Sequence, residues 1–210
     1  MTYLQLVNKV LVRLRENEVS TVGENSYSKL IGEYVNDAKR TVENAWDWTG
    51  LRNTLTVDTQ ANVFNYVLTD SDNTIKILDA TNDTQNCFLQ YKASQWFDNA
   101  FLDFPSVPKG TTQFYSINGI NGVDLYPIPD AAYTLRFNVV LRTKDFTNDT
   151  DSLNVPSNPV IRLATALGAR ERGETGGTSA AELFALADAS LADAIAMDAA
   201  LHPEETIWYS

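Results

Sequence analysis

The stretch from residue 26 to residue 50 constrains the fold of this chain more than any other. Its apolar residues recur at spacings of three and four, the period of one α-helix face. They are Tyr27, Leu30, Ile31, Tyr34, Val35, Ala38, Val42, Ala45 and Trp46. With Ser26 as N-cap and Gly50 as the C-terminal stop, we predict a helix of about 22 residues, roughly 33 Å long. Such a helix buries its apolar face, while the polar residues between are solvated or meet a polar partner.

Gly32 lies inside this predicted helix, where glycine is unfavourable relative to alanine. It indicates either a close helix–helix contact or a tolerated surface glycine.

Three further helices are predicted around this one. Thr2 and Gln5 have the spacing of a capping box, which starts a helix over 3–15. Asn158 before Pro159 predicts an N-cap and a helix over 159–172. Ser179 and Glu182 form a second capping-box pattern, which opens a helix over 179–201. We expect the four helices to pack together, with these side chains in their core: Leu11, Leu30, Trp46, Leu163 and Leu191.

After Gly50 the apolar period changes from 3.6 to 2, so residues 53 to 145 are predicted to be mostly β. The predicted strands are 54–57, 63–68, 74–78, 86–91, 113–117, 123–126 and 133–142. Asn118-Gly119 and Asn121-Gly122 predict a tight hairpin between 113–117 and 123–128, because Asn-Gly pairs adopt positive φ readily.

An aromatic group interrupts these strands with helical spacing between Ala93 and Phe104. We interpret these aromatic side chains as filling the core, the alternative being that they surround a bound ligand. Cys87, the single cysteine, reads as a small core residue, with a reactive thiol as the alternative.

These patterns predict an α+β fold, in which an antiparallel bundle of two N-terminal and two C-terminal helices carries a central β-rich insert. The predicted boundaries are 1–52 and 153–201 for the helical domain, 53–152 for the inserted subdomain and 202–210 for a C-terminal tail. No stretch approaches 18 uninterrupted apolar residues, and no secretory leader is evident. We therefore expect no membrane association and a reducing cytoplasm as the compartment of synthesis.

The net charge of −11 is concentrated near the C-terminus, where residues 178–210 hold six acidic residues and no Lys or Arg. Duplex DNA binding by phosphate neutralisation needs clustered basic residues, which this chain lacks. An acidic surface repels DNA, faces a basic protein partner or simply aids solubility.

The sequence offers no specific catalytic, metal or cofactor pattern. His202, the single histidine, lies beside a proline and far in sequence from Cys87, so it suits a capping or surface role. Asp70–Asn73 and Asp149–Asp151 resemble the first residues of calcium loops but lack the required Gly and Glu, so they are interpreted as turns. The Gly-rich run at 173–178 lacks the Lys of a phosphate-binding loop. We expect a protein that is not an enzyme and that holds no cofactor.

The layout of the chain carries a resemblance. Two N-terminal helices close on Trp46-Asp47-Trp48, a β-rich insert follows, and Val155-Pro156 leads into the run from Ile161 to Arg170 and a long last helix. This order resembles the head-to-tail adaptors of short-tailed phages, the tail tubular protein A family, over nearly the whole chain. The resemblance implies a virion tail protein assembled in the host cytoplasm. It also implies a dodecameric ring between the portal and the tail nozzle, with genomic DNA passing through the lumen without sequence-specific binding.

Two other function classes stay open at this point. One is a phage-borne binding module whose β insert recognises a receptor or a carbohydrate. The other is a hydrolase acting through carboxylates of the β region.

The C-terminal tail is predicted to dock. Beyond Pro203 it carries three apolar residues, Ile207, Trp208 and Tyr209, but is too short to form a core. Trp and Tyr are frequent interface anchors, and the family resemblance implies a tail that reaches the portal. We predict that these residues enter a portal groove, with Glu204 and Glu205 meeting basic residues at its rim. The alternative is that Trp208 folds back onto its own helices.

Overall fold

A computed structural model describes residues 1–69, 72–102, 107–119, 121–173 and 180–202. Its contacts divide the chain into two compact units. The helical unit combines residues 1–51 with the chain from residue 145 onward, and the β unit is residues 52–144. Five helices and two sheets lie in the described ranges, so the predicted mixed α+β class is confirmed.

Helix α1 spans Tyr3–Arg13 and begins where the sequence predicts. The Thr2 hydroxyl accepts a hydrogen bond from the Gln5 backbone N–H at 3.4 Å, and the Gln5 side chain accepts from the Thr2 N–H at 3.1 Å. This reciprocal pair is a capping box, which satisfies two of the N–H groups left free at a helix start. The helix ends at Arg13, before the predicted Arg15, which has a φ of 62° and therefore leaves the helical conformation.

Helix α2 spans Ser26–Ala45, and both of its predicted ends are corrected. Asn25 is the N-cap, since its side chain accepts from the Ser28 N–H at 2.7 Å. The chain turns extended at Trp46, so Gly50 does not end the helix. A Cβ at Gly50 would collide with the backbone oxygen of Asn154, which makes close packing the reason for glycine there.

The contact between α1 and α2 depends on Gly32. A Cβ at this position would collide with the Tyr3 hydroxyl and lie 2.9 Å from Cγ1 of Val22. The predicted close helix–helix contact is confirmed, because only a residue without a Cβ leaves room for the Tyr3 ring.

Helix α4 spans Ser157–Glu171 and contacts α1, α2 and helix α5, which spans Ala180–Ala199. The predicted Asn158 cap is wrong: Pro156 is the N-cap residue, without a side-chain cap bond. The Asn158 amide instead donates to the Ser190 hydroxyl at 3.0 Å, so it joins α4 to α5. Ser179, the predicted cap of α5, lies outside the described residues.

The predicted core of the helical unit is correct in part. Leu11 is buried, whereas Leu30, Trp46, Leu163 and Leu191 are half-buried. Trp48 takes the central position, with 1 % of its surface exposed and its indole N–H donating to the Val42 carbonyl at 2.7 Å. Other fully buried apolar side chains of this unit include these: Leu6, Val7, Val10, Ile31, Val35, Val42 and Val160.

Helix α2 also buries three polar side chains that its periodicity assigned to the opposite face. Lys39 and Glu43 form an ion pair, with Lys39 Nζ 3.3 Å from Glu43 Oε1. Asn36 accepts from the Phe146 N–H at 3.0 Å and donates to the Phe146 carbonyl at 3.2 Å. The Asn36 amide thus finds partners for both its oxygen and its nitrogen, and each of the two buried charges lies beside the opposite charge.

Residues 145–155 run along the helices rather than with the strands. Phe146, Leu153 and Val155 are buried in the helical unit. The Asp149 carboxylate accepts from the Val22 N–H at 3.2 Å, and the Asp151 carboxylate accepts from the backbone N–H groups of Thr147 and Asn148, both at 2.8 Å. The turn interpretation of this acidic run is therefore correct.

Contacts that close the helical unit join its two separate segments. Arg172, just after α4, donates to the Leu14 carbonyl at 2.9 Å and forms an ion pair with Glu16. The Arg172 guanidinium also lies 4.5 Å from the ring centroid of Tyr27.

The β unit contains two four-stranded sheets. In chain order its strands are β1 Arg52–Asp58, β2 Asn65–Val67, β3 Thr74–Asn82, β4 Cys87–Phe88, β5 Gln90–Tyr91, β6 Phe114–Asn118, β7 Gly122–Tyr126 and β8 Thr134–Arg142. One sheet has the order β1-β8-β3-β4, all antiparallel, and the other has the order β2-β7-β6-β5, with β5 parallel to β6. A buried cluster that includes Leu125, Leu135 and Phe137 forms the core of the unit.

The predicted hairpin joins β6 and β7. Asn118 pairs with Gly122, and Asn121 has a φ of 63°, as the Asn-Gly pattern requires. Helix α3, Ser94–Leu102, forms from the predicted aromatic group. Among its described rings only Phe97 is buried and Trp96 is 36 % exposed, so the group covers a sheet rather than filling a core.

None of the helices that the structure describes is long and apolar enough to cross a membrane.

Candidate functional site

The five predicted portal-binding residues, Glu204, Glu205, Ile207, Trp208 and Tyr209, lie outside the described residues. The structure does describe the end of α5, from which this tail continues. After Ala199 a turn carries the chain to His202, whose N–H donates to the Ala199 carbonyl at 3.1 Å. The starting point of the tail is therefore fixed by the contacts of α5.

Those contacts form a clasp, defined here as Asp198 and His202 with Trp46 and Thr49. One Asp198 carboxylate oxygen accepts from the Trp46 indole N–H and from the Thr49 backbone N–H, both at 3.1 Å. The Thr49 hydroxyl lies 2.8 Å from His202 Nε2. Hydrogen bonds to a carboxylate are stronger than neutral ones, so the clasp ties the end of α5 to the chain that follows α2. The sequence gives no signal for it, because its partners are about 150 residues apart.

A groove of about 490 Å3 runs between α4 and α5. Its apolar wall includes Pro159, Leu186 and Met197, and its polar groups include Arg162 and Asp193. Leu186 is 49 % exposed and Met197 is 76 % exposed, so the groove is open to solvent.

Arg162 of α4 lines this groove, and Arg13 of the neighbouring helix α1 lies near enough to feel its charge; we name these two residues the basic pair. Partial burial of Arg13, and then the positive charge of Arg162, lower the pKa of the Arg13 guanidinium. Within the described ranges, neither side chain makes an ion pair with a carboxylate, and Arg162 donates only to the Asn158 amide oxygen at 3.3 Å. Periodicity alone does not identify this pair, since its members lie on different helices.

The β unit carries a second cavity, of about 310 Å3, beside α3. Three phenylalanines line it, Phe64, Phe97 and Phe101, and the Phe64 and Phe101 ring centroids are 5.5 Å apart. Asp98 and Asp124 lie at the same cavity, where Asp124 already accepts from the Asn65 amide at 2.6 Å. The surface is thus mixed, with aromatic rings beside carboxylates.

The other residues that the sequence analysis considered, Cys87 and His202, lie in elements of the fold. Cys87 is a free, half-buried cysteine in β4, so its assignment to the core is only partly correct. His202 belongs to the clasp. In the part of the chain that the structure describes, no three His, Cys, Asp or Glu side chains are grouped closely enough to hold a metal ion.

Burial also perturbs one tyrosine in the seam between α1 and α2. Desolvation, with smaller contributions from Glu33, Asp149 and Asp145, raises the pKa of Tyr3 to about 12. The neutral phenol is therefore the form that the folded helical unit favours.

The surfaces described so far suit contacts with other proteins, and a comparison of the sequence with protein families agrees. Residues 1–204 match the family described as SU10 adaptor protein. The chain belongs to that family. The family comprises phage head-to-tail adaptors, so the adaptor resemblance read from the layout of the helices is confirmed.

Membership of the SU10 adaptor family makes this chain a structural phage protein of the adaptor class. It also places the chain in the virion. In a search of curated proteins, no individual sequence matches it.

Proposed function

We propose that this SU10-family adaptor forms a ring of twelve copies between the portal and the tail nozzle. The observation that carries the proposal is the family match over residues 1–204, which spans the helices of both segments and the β unit. In this proposal genomic DNA passes through the lumen without sequence-specific contacts, which suits the net charge of −11.

The helical unit, residues 1–51 and the chain from residue 145 onward, serves as the ring body in this proposal. The β unit, residues 52–144, is an inserted subdomain that faces a different partner from the helices. Replacing residues 52–144 by a Gly-Ser linker should leave a folded helical protein that still binds portal. Loss of all helical circular dichroism in that variant would show that the two units depend on one another for folding.

The tail, residues 202–210, is the proposed portal-docking segment. Ile207, Trp208 and Tyr209 supply the apolar anchors, and Glu204 and Glu205 contact basic residues at the rim. The clasp supports this role, because it holds the origin of the tail on the helical unit. Tight anchoring at one end reduces the freedom that the tail loses on docking.

Truncation after Pro203 tests the docking proposal. The truncated protein should melt like the full chain but should no longer co-migrate with purified portal in size exclusion. A chain that lacks only Ser210 is the matched control and should bind normally. Portal binding by the protein truncated after Pro203 would overturn the proposal, and so would a large drop in its melting temperature, which would instead indicate a tail folded back on its own helices.

A second candidate function rests on the cavity beside α3. Its phenylalanines and carboxylates could contact a sugar ring, which would make the β unit a receptor- or carbohydrate-binding module. Glycan-array binding by the full chain, lost in Phe101→Ala, would favour this function. Absence of glycan binding together with portal binding favours the adaptor.

A further inference from the structure

Helix α5 is rich in small apolar residues. Among its twenty residues only five are polar: Glu182, Asp188, Ser190, Asp193 and Asp198. Its exposed apolar residues, which include Leu186 and Met197, lie on more than one side of the helix, so α5 offers apolar surface that another protein can cover.

The structure covers very little of this helix. Ala187, at 3 % exposure, is the one residue of α5 that is buried among those whose side chains are described. Five exposed residues follow one another along one side of the helix: Ala181, Ala185, Asp188, Ala192 and Ala196. Their spacing of four, three, four and four keeps them on one face, which we name the outer face of α5. Small side chains on this face allow another helix to approach closely.

The outer face carries an acid at its middle. Asp188 is exposed and makes no hydrogen bond or ion pair within the described ranges. It lies among alanines, so a partner helix or groove on this face must supply a basic group to match it. The basic pair, Arg13 and Arg162, has the complementary charge and no carboxylate of its own in the described part of the chain.

We propose that the outer face of α5 in one subunit packs into the α4–α5 groove of the next subunit, where Asp188 meets the Arg13–Arg162 pair. The inference deepens the proposed ring, since it assigns the surfaces through which neighbouring copies meet. Leu186 and Met197 on the groove wall supply apolar contact to the incoming alanines. The contact is heterologous, because the two surfaces differ, and repeated heterologous contacts form a ring when the rotation between neighbours closes.

The charges argue against the symmetric alternative. If two outer faces met each other, Asp188 would face Asp188, and like charges placed together oppose association. The groove carries its own Asp193 but also Arg162, with Arg13 nearby, so Asp188 finds basic groups there that the neighbour's outer face lacks. A second copy of this chain is therefore the occupant that the charges select.

Charge reversal tests the contact. Asp188→Arg alone, and Arg13→Glu with Arg162→Glu, should each raise the concentration needed for half-assembly by about tenfold or more, because like charges then meet. The readout is molar mass by light scattering over a concentration series. Combining all three substitutions in one chain, or mixing the two variants, should restore assembly. Lys29→Glu, an exposed site on α2, is the matched control.

A crosslink tests the geometry without relying on charge. In a Cys87→Ala background, Arg13→Cys with Asp188→Cys should give a ladder of covalent oligomers on oxidation, visible on a denaturing gel. Each single cysteine variant should stay monomeric on that gel. Dimers from Asp188→Cys alone would show the symmetric contact and overturn the inference, as would rings that never yield a ladder.

The outcomes separate this inference from the proposed function. If the unmodified chain stays monomeric at all concentrations, with or without portal, the ring proposal fails and the interface with it. If it forms rings that the charge reversals and the cysteine pair leave unaffected, the ring stands and the interface assignment is wrong. Circular dichroism of each variant confirms that it is folded before the masses are compared.

Discussion

Helices α2 and α5 each contain twenty residues, yet they relate to the rest of the helical unit in opposite ways. Helix α2 buries nine residues, among them the charged pair Lys39 and Glu43. Helix α5 buries Ala187 alone among its described side chains, although most of its residues are apolar. The helix with more polar residues is the better covered of the two.

This difference shows that the apolar content of a helix does not determine how much of that helix is buried within its own chain. Helices α1 and α4 and the 145–155 segment cover α2 within a single subunit, and the last of these also pairs with the Asn36 amide. Among the described elements, helix α5 has α4 as its one major neighbour, so much of its surface is left for the contact with another copy that we propose.

The largest expected effect follows directly from that contrast. Ile31→Ala in α2 removes a side chain with 0 % exposure and should lower the free energy of unfolding by about 2–5 kcal/mol. Leu186→Ala in α5, at 49 % exposure, should change it by less than about 0.5 kcal/mol in the monomer. Chemical denaturation at low protein concentration measures both. Equal losses would show that α5 is as well packed as α2.

The polar contacts of α2 supply the next prediction. Asn36→Ala leaves the N–H and the carbonyl of Phe146 without their side-chain partner inside the unit, which should cost about 2–4 kcal/mol. Asn36→Asp keeps the acceptor but loses the donor, so its loss at neutral pH should differ from that of alanine. An unchanged melting temperature in Asn36→Ala would mean that water replaces the amide at no cost.

A smaller effect is expected at the end of α5. Asp198→Ala removes the acceptor shared by the Trp46 indole and the Thr49 N–H, and we expect a loss of about 1–3 kcal/mol. Tryptophan fluorescence should change at the same time, because the Trp46 indole loses its partner. Asp193→Ala, on the groove side of the same helix, is the control for charge removal without loss of the clasp.

The smallest effect concerns pH. The pKa of Tyr3 is raised from 10.0 to about 12, so folding favours the neutral phenol. Its contribution to stability is fully present below pH 10, and it is lost as the pH rises from about 10 towards 12, because the unfolded chain releases the proton first. Denaturation curves across this range should show the decline, and Tyr3→Phe should remove part of it. A decline of the same size in Tyr3→Phe would assign the pH dependence to other groups.

The sequence predicted correctly those features that depend on residues close together in the chain. The capping box of Thr2 and Gln5 and the Asn-Gly hairpin before Gly122 involve neighbours in sequence, and both form. Gly32 was predicted correctly because glycine inside an amphipathic helix has few reasons to occur other than close packing.

Features that depend on distant partners were missed. Trp46 was chosen as the core tryptophan because it continues the helical period, but the helix ends at Ala45 and Trp48 is buried instead. Lys39 and Glu43 were assigned to a face that is solvated or meets a polar partner, and their burial as an ion pair was missed, since periodicity carries no information about what packs on a polar face. The clasp and the basic pair depend on side chains from separate helices. The predicted portal-binding residues remain predictions.

The division of the helical unit into two segments has a consequence for synthesis. The Arg172 contacts with Leu14 and Glu16, and that of Val22 with Asp149, need residues made long after α1 and α2 leave the ribosome. The β unit, continuous in sequence, can fold in the interval, as domains generally do during translation. Helix α5 follows both. A nascent chain therefore lacks the surface through which we expect copies to join, and premature association on the ribosome is avoided.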